Sequence, residues 1–388
     1  MLLPEAAGPH DPASTTPARL PGSIRRTSSI DTSRPDGIRG DLVVVARARD
    51  LRTDRGGAGT EVARVDLELR LDGMTRKILS ITGTPDVRGL DALVGLAVGP
   101  GFRARLTEAL PGEQDTGALV YLLLDDLPGA ALVSGYALQR AGLFDVPILP
   151  IGTEASGGAE ASGGADGPAV GQPRPVTLTS AQLPAVDLCA GWAHDSAMMV
   201  SIRATGVIPT PMGPPAPALE PADDPLAWHA MEPLAPHAMR RRRRLDVIAT
   251  TGPTADGAGG PATDGAVSHR IDVHFRDSHV DADGLETVVH EYSVAGAVDA
   301  VGGRVVDLAA HAHVLPWTEC PGALASAGRL VGMPLAGLRP QVRRELVGTS
   351  SCTHLNDTLR SLSDVTLLVS ELAGDGRPVP GPEQRARA

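Results

Sequence analysis

Residues 49–72 read RDLRTDRGGAGTEVARVDLELRLD, and residues 276–299 read RDSHVDADGLETVVHEYSVAGAVD. Laid over one another without a gap, they align Arg49 with Arg276, Asp50 with Asp277, Asp54 with Asp281 and Asp72 with Asp299. A second ungapped block sets residues 103–134 over 339–370 and pairs Arg103 with Arg339, Leu110 with Leu346 and Gly112 with Gly348. It continues with Leu119, Leu123, Val133 and Ser134 over Leu355, Leu359, Val369 and Ser370. Between the blocks, Leu93-Val94-Gly95 matches Leu330-Val331-Gly332, and the second run carries an insertion between Asp299 and Cys320. Long blocks in the same order point to an internal duplication.

The pattern of each run is the same. Asp41–Asp50 and His269–Asp277 read as strands, and Glu61–Leu71 and Thr287–Val298 alternate apolar and polar residues as half-buried strands do. Met74–Thr82 and Arg304–Val314 read as third strands. Helical segments follow at Asp86–Leu96 and Gly322–Val331, at Phe102–Leu110 and Leu338–Leu346, and at Thr116–Leu127 and Cys352–Leu362. Gly112 and Gly348 punctuate the step between the last two. Strands followed by helices imply an α+β fold. The expectation is two tandem repeats, each a small antiparallel β-sheet of about three strands followed by about three helices. The first repeat would span 24–150 and the second 241–373, packed on each other. Residues 1–23 are expected to be disordered, 151–180 a Gly/Ala/Ser linker, and 374–388 a disordered tail. The Pro-rich segment 181–240 would be ordered only where something else holds it.

Composition bounds the function. Of 388 residues, 42% are hydrophobic but only 2% aromatic, so the cores must be built from Val, Leu, Ala and Ile. Arginine is plentiful and Lys77 is the sole lysine, which with the Ala, Gly and Pro content fits a GC-rich bacterial genome. A net charge of −11 argues against nucleic acid as a partner. Three cysteines make no disulfide framework. The N-terminus lacks a basic segment followed by an apolar one, and no apolar run approaches the ~20 residues that span a bilayer. A soluble cytoplasmic protein with no membrane partner is expected. No GxGxxG, P-loop, HExxH or GxSxG occurs. The run Arg240–Arg244 reads as a solvated or salt-bridged lead-in to the next strand rather than a phosphate site.

The two runs are not chemically equivalent. Cys352 falls over Thr116, His354 over Ala118 and Cys320 over Thr84. Seven of the eleven histidines lie in the second run, and the first has none. Chemistry is therefore expected in the second run. Cys352 and His354 would lie in the first turn of a helix, where unpaired N–H groups and the dipole favour a thiolate. Cys320 precedes Pro321, a first-turn residue, and would sit at another helix start. His311 and His313 share one face of a strand that leads to Cys320. These residues, Cys320, Cys352, His354, His311 and His313, form the expected metal set, for zinc or an iron–sulfur cluster. A thiol enzyme with Cys352 as nucleophile and His354 or His311 as base is an open alternative, and a non-catalytic assembly module is another. His290 reads as part of a solvated face, with hydrogen bonding to a site residue the alternative, and Cys189, beside Trp192, as packing.

Cys320-Pro321, Leu330-Val331-Gly332, Gly348 and Cys352-Thr353-His354-Leu355 resemble the bacterial family catalogued as domain of unknown function 2889. Arg34–Gly37, Leu93–Phe102 and Gly112 carry the resemblance into the first run, which departs at Thr84, Thr116 and Ala118. The resemblance implies a fold unit repeated in tandem with a degenerate first copy, and little mechanism. The order of a Cys-led helix, a Gly step and a second Cys-led helix is also distantly similar to NifU-like and SufE-like iron–sulfur scaffolds. That likeness implies cysteines at helix starts beside a small sheet, with Cys320 and Cys352 in those places.

Overall fold

A computed structural model describes residues 8–37, 40–141, 186–205, 208–250, 268–299 and 303–373. The expected linker 151–180 and tail 374–388 lie outside the described residues. The strands are β1 (Ser23–Ser33), β2 (Leu42–Thr53), β3 (Gly59–Leu71), β4 (Ile78–Thr84), β5 (Met239–Thr250), β6 (Ser268–Val280), β7 (Glu286–Asp299) and β8 (Val305–Val314). They form one eight-stranded sheet in the order β4-β3-β2-β1-β5-β6-β7-β8, and every neighbouring pair is antiparallel.

The expectation of two small three-stranded sheets is thereby overturned. The missing strands are β1, SIRRTSSIDTS, and β5, MRRRRRLDVIAT. Neither shows apolar alternation, because arginine, serine and aspartate fill both of their faces. Yet Arg25 and Arg26 are at most 2% exposed and Arg240–Arg244 are all buried. The arginine run is salt-bridged rather than solvated, and it lies within a central strand instead of leading into one. β1 and β5 pair with each other and fuse what would otherwise be two sheets.

Charge holds the join together. Arg25 Nε lies 2.6 Å from Asp246 Oδ1, and Arg240 Nε lies 2.7 Å from Asp31 Oδ1. In each case the partners are directly opposite one another across β1 and β5. A buried carboxylate paired through two N–H groups offsets the desolvation of both ions.

Alternation along β1 and β5 divides the sheet into two faces. The outer face is covered by residues 8–22 and by the proline-rich chain from Ile208 to Ala238. Proline removes N–H donors, so these segments offer backbone carbonyls that need donors from elsewhere. Arginines of the sheet supply them: Arg49 to Leu226 O at 2.6 Å, Arg240 to Glu232 O at 2.6 Å, and Arg276 to Pro217 O at 2.7 Å and Ala13 O at 2.5 Å.

The inner face carries the helices. On the first half lie α1 (Phe102–Ala109), α2 (Glu113–Thr116) and α3 (Leu119–Arg140), after a 3₁₀ turn at Leu90–Leu93. Then α4 (Ala197–Thr205) precedes β5, and on the second half lie a 3₁₀ helix at Cys320–Leu330, α5 (Leu338–Glu345), α6 (Thr353–Arg360) and α7 (Val365–Leu372). Each half has its own apolar core. Val44, Leu67, Phe102 and Leu124 belong to one, and Val273, Phe275, Tyr292, Leu338 and Leu355 to the other. Each such side chain stabilises the fold by roughly 1.5–3 kcal/mol. α3, with 22 residues, has the length and apolarity to cross a membrane, but 78% of its apolar window is buried inside the protein, as in a core helix.

Candidate metal centre

Cys352 is the N-cap residue of α6, in extended conformation, and is 5% exposed. The Tyr292 hydroxyl donates to its sulfur at 3.2 Å. The expected thiolate does not follow. Burial raises the thiol pKa, and this outweighs the Tyr292 hydroxyl and the N–H groups of His354 and Leu355 that favour the anion. Desolvation also holds Cys320 well above an ordinary thiol and pushes Cys189 up to about 12.

All three cysteines lie in one neighbourhood, close enough that charge on one would oppose charge on the others. The loop carrying Cys189 is seated there by Ala190 N–H donating to Ser351 O at 2.9 Å, and Gly191 lies against the Cys320 sulfur. Cys320 and Cys352 are part of the second apolar core. Among the described residues, however, no cluster of three ligand atoms within 4.8 Å includes a cysteine.

His311 and His313 do share a face, with ring centroids 4.8 Å apart. It is the outer face. His311 sits across from Ser293, whose hydroxyl lies 3.0 Å from His313 Nε2, and His313 approaches His274 beneath the N-terminal segment. The sheet therefore separates both from Cys352 and His354.

The cluster that does form is Asp277, His290 and His354, whose ligand atoms all lie within 4.8 Å of one another. Asp277 on β6 and His290 on β7 are direct cross-strand partners, next to a bulge between Asp277 and Ser278. His354, in the first turn of α6, stacks on His290 with centroids 3.7 Å apart and planes at 20°. Asp277 Oδ2 lies 3.5 Å from His290 Nδ1 and 3.9 Å from His354 Nε2. His290 Nδ1 is buried, and that long contact to Asp277 is the one it makes among the described residues. The other nitrogen of His354, Nδ1, lies 3.7 Å from the Cys352 sulfur.

Protonation suits metal binding. Burial, aided by His290 and Arg241, pushes His354 down to about 3, so its imidazole is neutral near pH 7. Burial works to raise the Asp277 carboxyl, but the Arg241 guanidinium beside it prevails and holds it well below the usual carboxylate range. Arg241 reaches Asp277 with Nε at 2.9 Å and Nη2 at 3.0 Å, and Asp357 with Nη1 at 2.7 Å. This links the cluster to a buried charge network along the join between the halves. Arg360 bridges Asp125 and Asp357 at 2.9 and 2.7 Å, and Arg243 meets Asp126 at 2.6 Å. α3 crosses this network at Gly129, where a Cβ would collide with the Arg241 guanidinium and the Asp357 carboxylate.

Of the expected ligand set, only His354 is in the cluster. Asp277 and His290 lie outside that set, His290 being expected at most to hydrogen-bond a site residue. A signal was present: in the opening overlay Asp277 meets Asp50, but His290 meets Ala63. The register makes the same equivalence, since Asp50 pairs across its strand with Ala63 as Asp277 does with His290.

Residues 239–368 match the family described as "Protein of unknown function (DUF2889)". The match runs from β5 into α7 and contains the whole cluster. It does not extend to residues 24–150, where a degenerate copy was expected. No curated protein and no solved structure matches the chain, so the likeness to iron–sulfur scaffolds gains no support.

Proposed function

We propose that the chain binds one divalent transition-metal ion, zinc by the chemistry of the donors, through Asp277 Oδ2, His290 Nδ1 and His354 Nε2. The observation that carries this reading is the convergence of two imidazole nitrogens on one buried carboxylate oxygen. Their 3.5 and 3.9 Å spacings from that oxygen are close to the edge of about 3.3 Å that a tetrahedral site with ~2.0–2.1 Å bonds requires. The rings are stacked, so one must turn for both lone pairs to converge on a single ion. Three protein ligands leave a fourth position for water or a ligand, as in zinc sites that do chemistry. Cys352, facing the non-ligating nitrogen of His354, would fix that ring's tautomer. The donors favour zinc over an iron–sulfur cluster, which is held chiefly by thiolates.

The test is metal analysis of the full-length protein purified anaerobically. Wild type should carry one ion per chain, and His290→Ala should carry none while remaining folded. Wild type without stoichiometric metal, even after zinc is offered, refutes the reading.

A thiol-enzyme reading has one observation in its favour: Cys352, His354 and Asp277 stand in line, 3.7 and 3.9 Å apart. The burial that raises the thiol and depresses the imidazole keeps the proton on sulfur. Alkylation rates separate the two readings. Slow labelling of Cys352 in the folded protein supports the metal site, and rapid labelling supports the nucleophile.

A further inference from the structure

A second site lies at the other end of the join, where the C-terminal turn of α3 meets the ends of β1 and β2 and the approach to β5. A cavity of about 520 Å³ opens there. Its apolar wall includes Leu42, Ala137 and Leu138, and its polar groups include Arg34, Arg140 and His237. The volume is that of a site for a small molecule.

The arginines set it apart. The arginines of β1 and β5 that line the join are held by carboxylates: Arg25, Arg26, Arg240, Arg241, Arg243 and Arg244 all have one. Arg34 and Arg140 have no carboxylate at ion-pair distance among the described residues. Arg34 Nη1 donates to Gly40 O at 3.0 Å, and Arg140 Nη2 lies 3.2 Å from the Met212 sulfur. The Nε of each is buried with no hydrogen-bond partner. A half-buried guanidinium with an orphaned N–H is costly unless an anion visits it. Arg76 adds positive charge beside Arg34. The nearby acids are already engaged. Asp36 pairs with Arg70 at 3.0 Å, and Asp281 accepts N–H groups of its own turn from Asp283 and Leu285 at 3.0 and 2.8 Å. Arg140, in the last turn of α3, also offsets the negative end of that helix dipole, which leaves Arg34 as the stronger grip.

We propose that this cavity binds a small organic anion, its carboxylate or phosphate held by Arg34 and Arg140 and its aliphatic body laid against Leu42, Ala137 and Leu138. His237 stands at the mouth, exposed. The site is separate from the cluster at Asp277 and does not depend on a metal there.

The test is isothermal titration calorimetry of the full-length protein with hexanoate, hexyl phosphate and neutral 1-hexanol. At least one anion should bind saturably at one site per chain, and hexanol should not. Arg34→Gln and Arg140→Gln should each weaken the anion by about tenfold or more, a loss of about 1.4 kcal/mol. Arg34→Lys, which keeps the charge, should weaken it less, and all three variants should melt within a few degrees of wild type. The stronger of the two anions identifies the headgroup as carboxylate or phosphate. Binding should persist in His290→Ala, which distinguishes it from anion coordination at the proposed ion. Neither anion binding at millimolar concentration, binding that both Gln variants leave unchanged, or binding lost in His290→Ala would each overturn the proposal.

Discussion

Asp50 and Asp277 hold equivalent positions in the two halves of the sheet. Each sits on the second strand out from its half's edge of the join, next to a bulge. Each is clasped by an arginine directly opposite, Arg26 or Arg241, and each arginine reaches on to a second buried carboxylate, Asp364 or Asp357. The difference is what lies across the next strand. Asp50 faces Ala63, and Asp277 faces His290 with His354 stacked above it. The first half therefore makes a stable Arg–Asp pair without imidazole. The lesson is that the pair serves the fold, whereas the histidines answer to something else.

Removing the carboxylates should have the largest effect and should split the comparison. Asp50→Ala and Asp277→Ala each take from a buried guanidinium the carboxylate that clasps it, leaving only Asp364 or Asp357, and should each cost about 3 kcal/mol in urea unfolding. Only Asp277→Ala should also abolish metal binding, and an equal loss of metal in Asp50→Ala would show that the halves are not distinct in this respect. Gly129→Ala presses a methyl group on the Arg241–Asp357 pair of the second half. It should cost about 1–3 kcal/mol, read by thermal melting, with no like effect from Ala at the open Gly135 of the same helix.

His229 supplies a contrast for the site histidines. Its nitrogens are both occupied, by Ser29 Oγ at 2.8 Å and Thr27 Oγ1 at 2.9 Å, and burial pushes its pKa down to about 3. The folded state thus resists a proton that the unfolded chain accepts below about 6.5. Stability from this residue is complete above that pH and falls as pH drops toward 3, by about 1.4 kcal/mol per unit. His274, His279 and His354, also pushed down by burial, add to the decline, so urea midpoints at pH 7 and 5.5 should show it and His229→Gln should make it shallower without abolishing it. In metal-free protein the smallest effect on stability is expected from His290→Ala, within roughly 1 kcal/mol. A large loss of stability there would make His290 another structural histidine like His229.

The sequence made β2, β3, β6 and β7 readable because one of their faces is apolar and the other is not. It concealed β1 and β5 because their arginines are buried through pairing with aspartate, and a paired charge looks in sequence like a solvated one. That is why Arg240–Arg244 seemed to lie outside the sheet, and why one sheet looked like two. The site was legible in part. His354 stands out against Ala118, and His290 against Ala63 carries the same signal, although a polar strand residue fits a solvated face as well as a hydrogen bond to a site. His311 and His313 were correctly placed on one face of a strand, yet alternation alone does not say which face meets the helices. For Cys320 and Cys352, a helix start argued for thiolates, and burial in the apolar core of the second half outweighed it.

The most direct test of the account is the zinc content of full-length wild type, His290→Ala and the Cys189→Ser/Cys320→Ser/Cys352→Ser triple variant, each purified anaerobically and shown to be folded. The account predicts one zinc per chain in wild type, none in His290→Ala, and zinc retained with weakened affinity in the triple variant. Zinc kept by His290→Ala and lost from the triple variant would contradict it, and would move the site from the Asp277 cluster to the cysteines.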